Sequence, residues 1–208
     1  MLPLFFLSAF FAEVIGTIAG FGSSTVFLPL ALLFFDFKTA LVLVAFFHLF
    51  GNAGRVGFFR YGLDKNLLLK FAVPSVLFSL AGAFLVAYIP QGTLKAALGV
   101  FLAAYAVLFF KREKLAFRPT VANAVAGGSL SGFLAGLIGT GGALRGAFLA
   151  AFSLPKEKYI ATAAFTALLV DATRIPVYLG EGFSAASMHG TCRFFWCSRS
   201  QGHSRESG

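Results

Sequence analysis

Apolar residues fill four stretches of the chain, residues 39–59, 67–89, 94–110 and 159–179, with charge, Pro or Gly at their ends. About 20 such residues make a helix long enough to cross a hydrocarbon core of about 30 Å. The pattern predicts four membrane-spanning helices. Residues 2–35 and 120–152 depart from it. At 1.5 Å per residue, a straight helix over either region would be about 50 Å long, while two full crossings need about 40 residues. Each region also carries a glycine-rich interruption, GTIAGFGSST at 16–25 and GLIGTGG at 136–142. Both are predicted to hold helices that stop inside the apolar layer and restart.

Basic residues decide how these segments thread. Lys/Arg-rich loops stay cytoplasmic, which places Lys111, Arg112, Lys114 and Arg118 inside. Counting back through two spans puts Arg60 and Lys65 inside and the Asp36–Lys38 loop outside. The loop with Lys156 and Lys158 also belongs inside, so residues 120–152 must return to the side they left. A re-entrant hairpin does this, its second arm (142–152) being about half a bilayer long; two short tilted crossings satisfy the same charges.

The chain also matches itself at an offset of about 119 positions. Gly20 and Gly22 fall on Gly139 and Gly141, Leu30–Ala31 on Leu149–Ala150, Ala45–Phe46 on Ala164–Phe165, and N-A-G-R (52–55) on D-A-T-R (171–174). With re-entrant hairpins, three crossings separate equivalent points, so the halves have opposite orientation. Inverted repeats with broken helices are a transporter architecture. The expected fold class is therefore all-α integral membrane, with two inverted repeats, glycine-broken re-entrant helices and an incomplete second repeat. Residues 1–118 form the first repeat, 119–183 the second, and 184–208 a polar tail. That tail is expected to be disordered, or to mark truncation or frameshift near Ser187.

Composition agrees. Of 208 residues, 58% are hydrophobic and only 12% charged, against about 25% in soluble domains. Mean hydropathy is +0.84. The net charge of +9 is spread singly or in short groups between apolar runs, which fits cytoplasmic loops rather than a nucleic-acid surface. The Met1 end lacks a basic n-region, so the first segment is expected to remain in the protein. Cys192 and Cys197 lie in the tail without a histidine at a ligand interval, and read as incidental thiols. No metal or cofactor is expected.

Ionisable or strongly polar groups at membrane depth are costly, which makes Glu13, His48, Asn52, Arg55, Arg145, Asp171 and Arg174 the functional candidates. His48, Asn52 and Arg55 share one helix face at i, i+4 and i+7. They form either a polar seam between helices or part of a site, and Arg55 has the further option of reaching the inner interface. Asp171 and Arg174, at i and i+3, either pair locally or face substrate. Arg145 either attracts an anion or pairs with Glu13. The glycine breaks are more specific. A half-helix that starts inside the membrane presents free N–H groups and a partial positive charge, which suits an anion. Ser23, Ser24 and Thr25 in the first break, and Thr140, Gly141 and Gly142 in the second, are the candidates to form that seat. Close packing through G-x-x-x-G at Gly16/Gly20 and Gly132/Gly136 is the competing role.

Around these residues the chain resembles the TauE/SafE sulfite exporter family, also called the TSUP transporters. The resemblance rests on GTIAGFGSSTVFLPLAL with FKTALVLVAFFHLFGNAGR, and on SGFLAGLIGTGGALRGAFL with LPKEKYIATAAFTALLVDATRIP, and covers roughly residues 9–182. It implies a permease of two inverted halves in the bacterial cytoplasmic membrane. Sulfite, sulfoacetate, other organosulfur compounds or carboxylates would be moved, with coupling to a proton or ion gradient. Glu13 and His48 are then the candidate proton carriers. The expected partners are a small anion and the bilayer, with no nucleic acid; the pattern sets no oligomeric state. One alternative is a non-transporting, truncated fragment of such a permease, in which the unpartnered second half exposes its D-A-T-R helix to lipid; another, an intramembrane hydrolase using Ser129 or Ser131 with His48, lacks a G-x-S-G elbow.

Overall fold

The computed structural model describes residues 2–19, 22–59, 63–110 and 118–183. Gly20, Arg60, Lys111, Arg112, Lys114, Cys192, Cys197 and the tail from 184 lie outside the described residues. Eight helices are seen among them: α1 (Leu2–Ala19), α2 (Ser24–Ala31), α3 (Phe37–Phe59), α4 (Lys65–Tyr88), α5 (Gln91–Phe110), α6 (Val121–Ile138), α7 (Gly142–Ala150) and α8 (Lys156–Gly180). Five of them, α3, α4, α5, α6 and α8, are long and apolar enough to cross a membrane. The four spans expected from the apolar runs are α3, α4, α5 and α8.

Helix boundaries follow the internal match. Leu2 and Ala19 of α1 stand 119 positions before Val121 and Ile138 of α6, Ala31 the same distance before Ala150, and Phe37 before Lys156. Both interruptions turn on a glycine of positive φ, Gly22 (φ 85°) and Gly139 (φ 72°), a backbone region where a Cβ is strained. Each short helix then folds back along the long one before it. Phe5, near the start of α1, packs on Phe27 of α2 and on Phe34 and Phe35 just beyond it. Phe148, near the end of α7, rests against Gly127 near the start of α6.

The largest helix contact joins α4 and α6. Gly128, Gly132 and Gly136 form a stripe on α6 that meets the backbone of Phe71, Ser75 and Ser79 on α4; Gly82 of α4 returns the contact against Phe133 and Gly136. Lipid tails are as apolar as leucine, so helices in a bilayer associate through this kind of backbone approach rather than through hydrophobic burial. A Cβ at Gly132 would overlap the Ser75 carbonyl. Gly132→Ala is therefore expected to cost about 1–3 kcal/mol by overpacking, read as a lower midpoint in detergent unfolding. An unchanged midpoint would mean that α4 and α6 do not meet along this stripe.

Candidate functional site

The two glycine turns bring the starts of α2 and α7 together. A Cβ on Gly22 would lie 2.9 Å from Gly142 Cα, and the hydroxyls of Thr25 and Thr140 are 3.0 Å apart and buried. Residues 115 positions apart in sequence thus share one point, because the two turns lie side by side.

His48 on α3 faces this junction. Its Nε2 accepts the backbone N–H of Ser24 at 3.0 Å, which requires that nitrogen to be unprotonated. The Ser23 hydroxyl, 2.7 Å from Nε2, therefore donates to it. The ring proton must then sit on Nδ1, which faces Asp171 Oδ2 on α8 at 3.5 Å, within ion-pair reach but longer than a hydrogen bond. Serine, histidine and aspartate in this order resemble a nucleophilic relay, yet Ser23 is 1% exposed and its amide neighbour occupies the same nitrogen. The proposed partners Ser129 and Ser131 do not take part: Ser131 donates to Gly128 O, and the hydroxyl on His48 is that of Ser23.

Asp171 is tied to Arg174, which reaches its Oδ1 from Nε at 2.9 Å and from a terminal nitrogen at 2.7 Å. The local ion pair expected from the i, i+3 spacing is present. Arg174 also donates to the carbonyl of Ala135, and the Tyr178 hydroxyl donates to that of Gly136. Both carbonyls belong to the last turn of α6, where a helix has no N–H to offer them. The arginine's charge suits the negative end of that helix. Arg174 and Tyr178 therefore close the end that the Gly139 turn leaves open.

Beside the junction lies a cavity of about 560 Å³, within the usual range for small-molecule sites. Gly22 and Gly142 line one end, Phe59 at the end of α3 and Lys156 at the start of α8 the other; His48, Asn52 and Tyr159 supply polar groups, and Ala163, Ala164 and Ala167 a smooth apolar wall. Among the described residues its charged lining is entirely cationic: Arg55, Arg145 and Lys156. Arg55 bonds Asn52 Oδ1 at 2.8 Å and pairs with Glu13 on α1. This corrects one expectation, since Glu13 pairs with Arg55 rather than Arg145. Arg145 is 6% exposed; it donates to Ala163 O at 3.2 Å, its Nε has no partner, and it forms no ion pair among the described residues. Asn52 Nδ2 is likewise buried without a hydrogen-bond partner among the described residues.

A sequence model of the sulfite exporter TauE/SafE family matches residues 5–191, most of the chain. The chain belongs to the TauE/SafE family. No curated protein and no solved structure matches it. As a TauE/SafE protein with several candidate spans, it is a multi-pass membrane transporter; the family comprises transporters rather than enzymes. Of the residues singled out in sequence, the TauE/SafE chain puts His48, Asn52, Arg55, Gly142 and Arg145 on the cavity wall. Ser23, Ser24, Thr25, Thr140 and Gly141 stand behind it: three hydroxyls and one amide are engaged with His48 or with each other, and Gly141 packs on Ser131. Asp171 and Arg174 are buried beneath, and Glu13 reaches the wall through Arg55. Tyr159 and Lys156 were missed. Their only sequence signal is position, at the start of the one helix that also carries D-A-T-R.

Proposed function

We propose that this TauE/SafE chain moves a small anion of the sulfite, organosulfonate or carboxylate class, held in the cavity beside Arg145. The unpaired Arg145 carries the reading. A buried cation without a counter-charge is costly, and an anion against its free Nε would supply that charge with a hydrogen bond. The first turn of α7, opening on the cavity at Gly142, adds N–H groups and the positive end of a helix; Asn52 adds an amide donor.

The hairpins α1–α2 and α6–α7 are read as re-entrant, and the 119-residue correspondence as an inverted repeat, with residues 1–118 and 119–183 as the two units. Such halves place substrate near the midplane and alternate access by rocking about it. The Phe59 and Lys156 end of the cavity lies on the face that the basic loops put inside, so this conformation is open to the cytoplasm of a bacterial cell. Glu13, holding Arg55, and His48, holding α2, are the coupling candidates. The test is uptake into proteoliposomes of labelled sulfite, sulfoacetate and acetate by the purified chain. Saturable uptake of at least one, inhibited by the others, is expected; no uptake above empty liposomes for all three would overturn the reading.

A further inference from the structure

We propose that His48 Nε2 is the proton-binding site of the transport cycle, and that a proton occupies it only when α2 withdraws the Ser24 amide. The inference deepens the reading above and rests on it for the word transport; the exchange of amide for proton stands on His48 alone.

A neutral imidazole has a single acceptor nitrogen, and here the Ser24 N–H at 3.0 Å and the Ser23 hydroxyl at 2.7 Å both use it. A proton reaching Nε2 from the cavity turns acceptor into donor. The Ser23 hydroxyl adapts by rotating, since its oxygen also accepts. The Ser24 amide has no such choice: two donors would face each other, and the positive end of α2 would face an imidazolium. The amide must leave. On the other side of the ring, Nδ1–H keeps its place toward Asp171 Oδ2, which has no hydrogen-bond partner among the described residues and draws closer to a charged ring. Protonation thus draws the ring toward α8 and breaks its bond to the Ser24 amide, leaving the Ser23 hydroxyl as its contact at the start of α2.

The displaced amide is well placed to matter. Ser24 opens α2, one residue from Thr25, whose hydroxyl meets Thr140, and two from Gly22, which packs on Gly142. Release at His48 therefore loosens the seam between the two helix tips that ends the cavity.

Charges around the ring set when this happens. From α8 come Asp171 and, behind it, Arg174, which already shares that carboxylate. From α7 comes Arg145 on the cavity wall. His48's own helix carries Arg55, paired with Glu13 of α1; α2 has no charged side chain, and the one charged residue of α5, Lys95, is exposed. An anion beside Arg145 and a proton on Nε2 bring opposite charges to one cavity, so anion and proton favour each other's binding, and by linkage each tightens the other equally.

The experiment uses the full chain in lipid nanodiscs, with ¹⁵N-labelled histidine and amide exchange read across residues 22–28, in wild type and His48→Gln. Glutamine keeps an acceptor for Ser24 and cannot take the proton. At neutral pH, wild-type Nε2 is expected to be the unprotonated ring nitrogen. As the ring resonances show His48 taking its second proton, exchange at Ser24 should rise relative to His48→Gln. A neutral ring protonated at Nε2, or a doubly protonated ring with Ser24 still protected, would overturn the proposal. If His48→Gln does not fold, the wild-type tautomer and the wild-type exchange profile against ring protonation decide between the same outcomes. Sulfite affinity measured on the same samples should rise about 5-fold or more on acidification and stay flat in the variant. A released Ser24 with unchanged sulfite affinity overturns the coupling. No sulfite, sulfoacetate or acetate binding at any pH overturns the transport reading instead, while the amide exchange still reports on the proton site.

Discussion

Arg145→Gln is expected to weaken sulfite binding by about 10–100-fold and, in the same protein, to raise the unfolding midpoint. The first effect follows from losing a charged donor to an anion, worth about 1.5–3 kcal/mol, or one to two decades in affinity. The second has the opposite sign because of what Arg145 lacks. It is buried, its Nε has no partner and no carboxylate pairs with it among the described residues, so the resting protein bears the cost of a buried cation offset only at a distance by Asp171, a carboxylate already tied to Arg174. Glutamine removes that cost and can still donate to Ala163 O. Arg145→Lys should fall between, since an ammonium keeps the charge but not the planar fork. Isothermal titration with sulfite and thermal unfolding in detergent separate the outcomes. Unchanged affinity with a lower midpoint would make Arg145 a structural donor and remove the anion site.

Much of this fold was readable from one feature, the length of apolar runs. The spans α3, α4, α5 and α8 emerge within a few residues of their ends because a bilayer fixes helix length and charges mark where it stops. The short helices α2 and α7 were readable for a different reason: glycines leave a break no packing can hide, and they stand at equivalent places in the self-match. Partners were harder. Ser23, His48 and Asp171 meet across 25 and 123 positions, and nothing local in any of the three segments points to the other two. Pairing of Glu13 with Arg145, one of two roles open to that arginine, rests on charge alone; the structure gives Glu13 to Arg55 because its side chain reaches α3 at Gly51.

The hydroxyls of the breaks illustrate a second limit. Ser23, Thr25 and Thr140 are where a substrate seat would be expected, but hydrogen-bonding groups near one another satisfy each other first, and the glycines are left to face the cavity. Arg174 was legible as a costly charge and as the partner of Asp171. Its further contact, the carbonyl of Ala135, depended on knowing where α6 ends and which way that end points.

That contact bears on the second large effect. Asp171→Asn should destabilise the protein by about 3–5 kcal/mol, because it leaves Arg174 as a buried cation beside a neutral amide. Asparagine is tolerated at Asn52, the matching position in the 119-residue self-match, for a reason absent here. Arg55 has Glu13 from α1 as its carboxylate. The position equivalent to Glu13 in α6 is Gly132, which packs on the Ser75 backbone and has no room for a side chain. The carboxylate for Arg174 must then come from its own helix, and Asp171 supplies it. Adding Arg174→Met to Asp171→Asn should recover part of the loss, since an apolar replacement of a buried pair is often neutral. Recovery should stop short by about 1.5–3 kcal/mol, because the Ala135 carbonyl loses its charged donor and keeps only the Tyr178 hydroxyl at 3.5 Å. Unfolding midpoints in a denaturing detergent titration give all three values. If the single variant is as stable as wild type, the buried pair does not hold α8 to the end of α6.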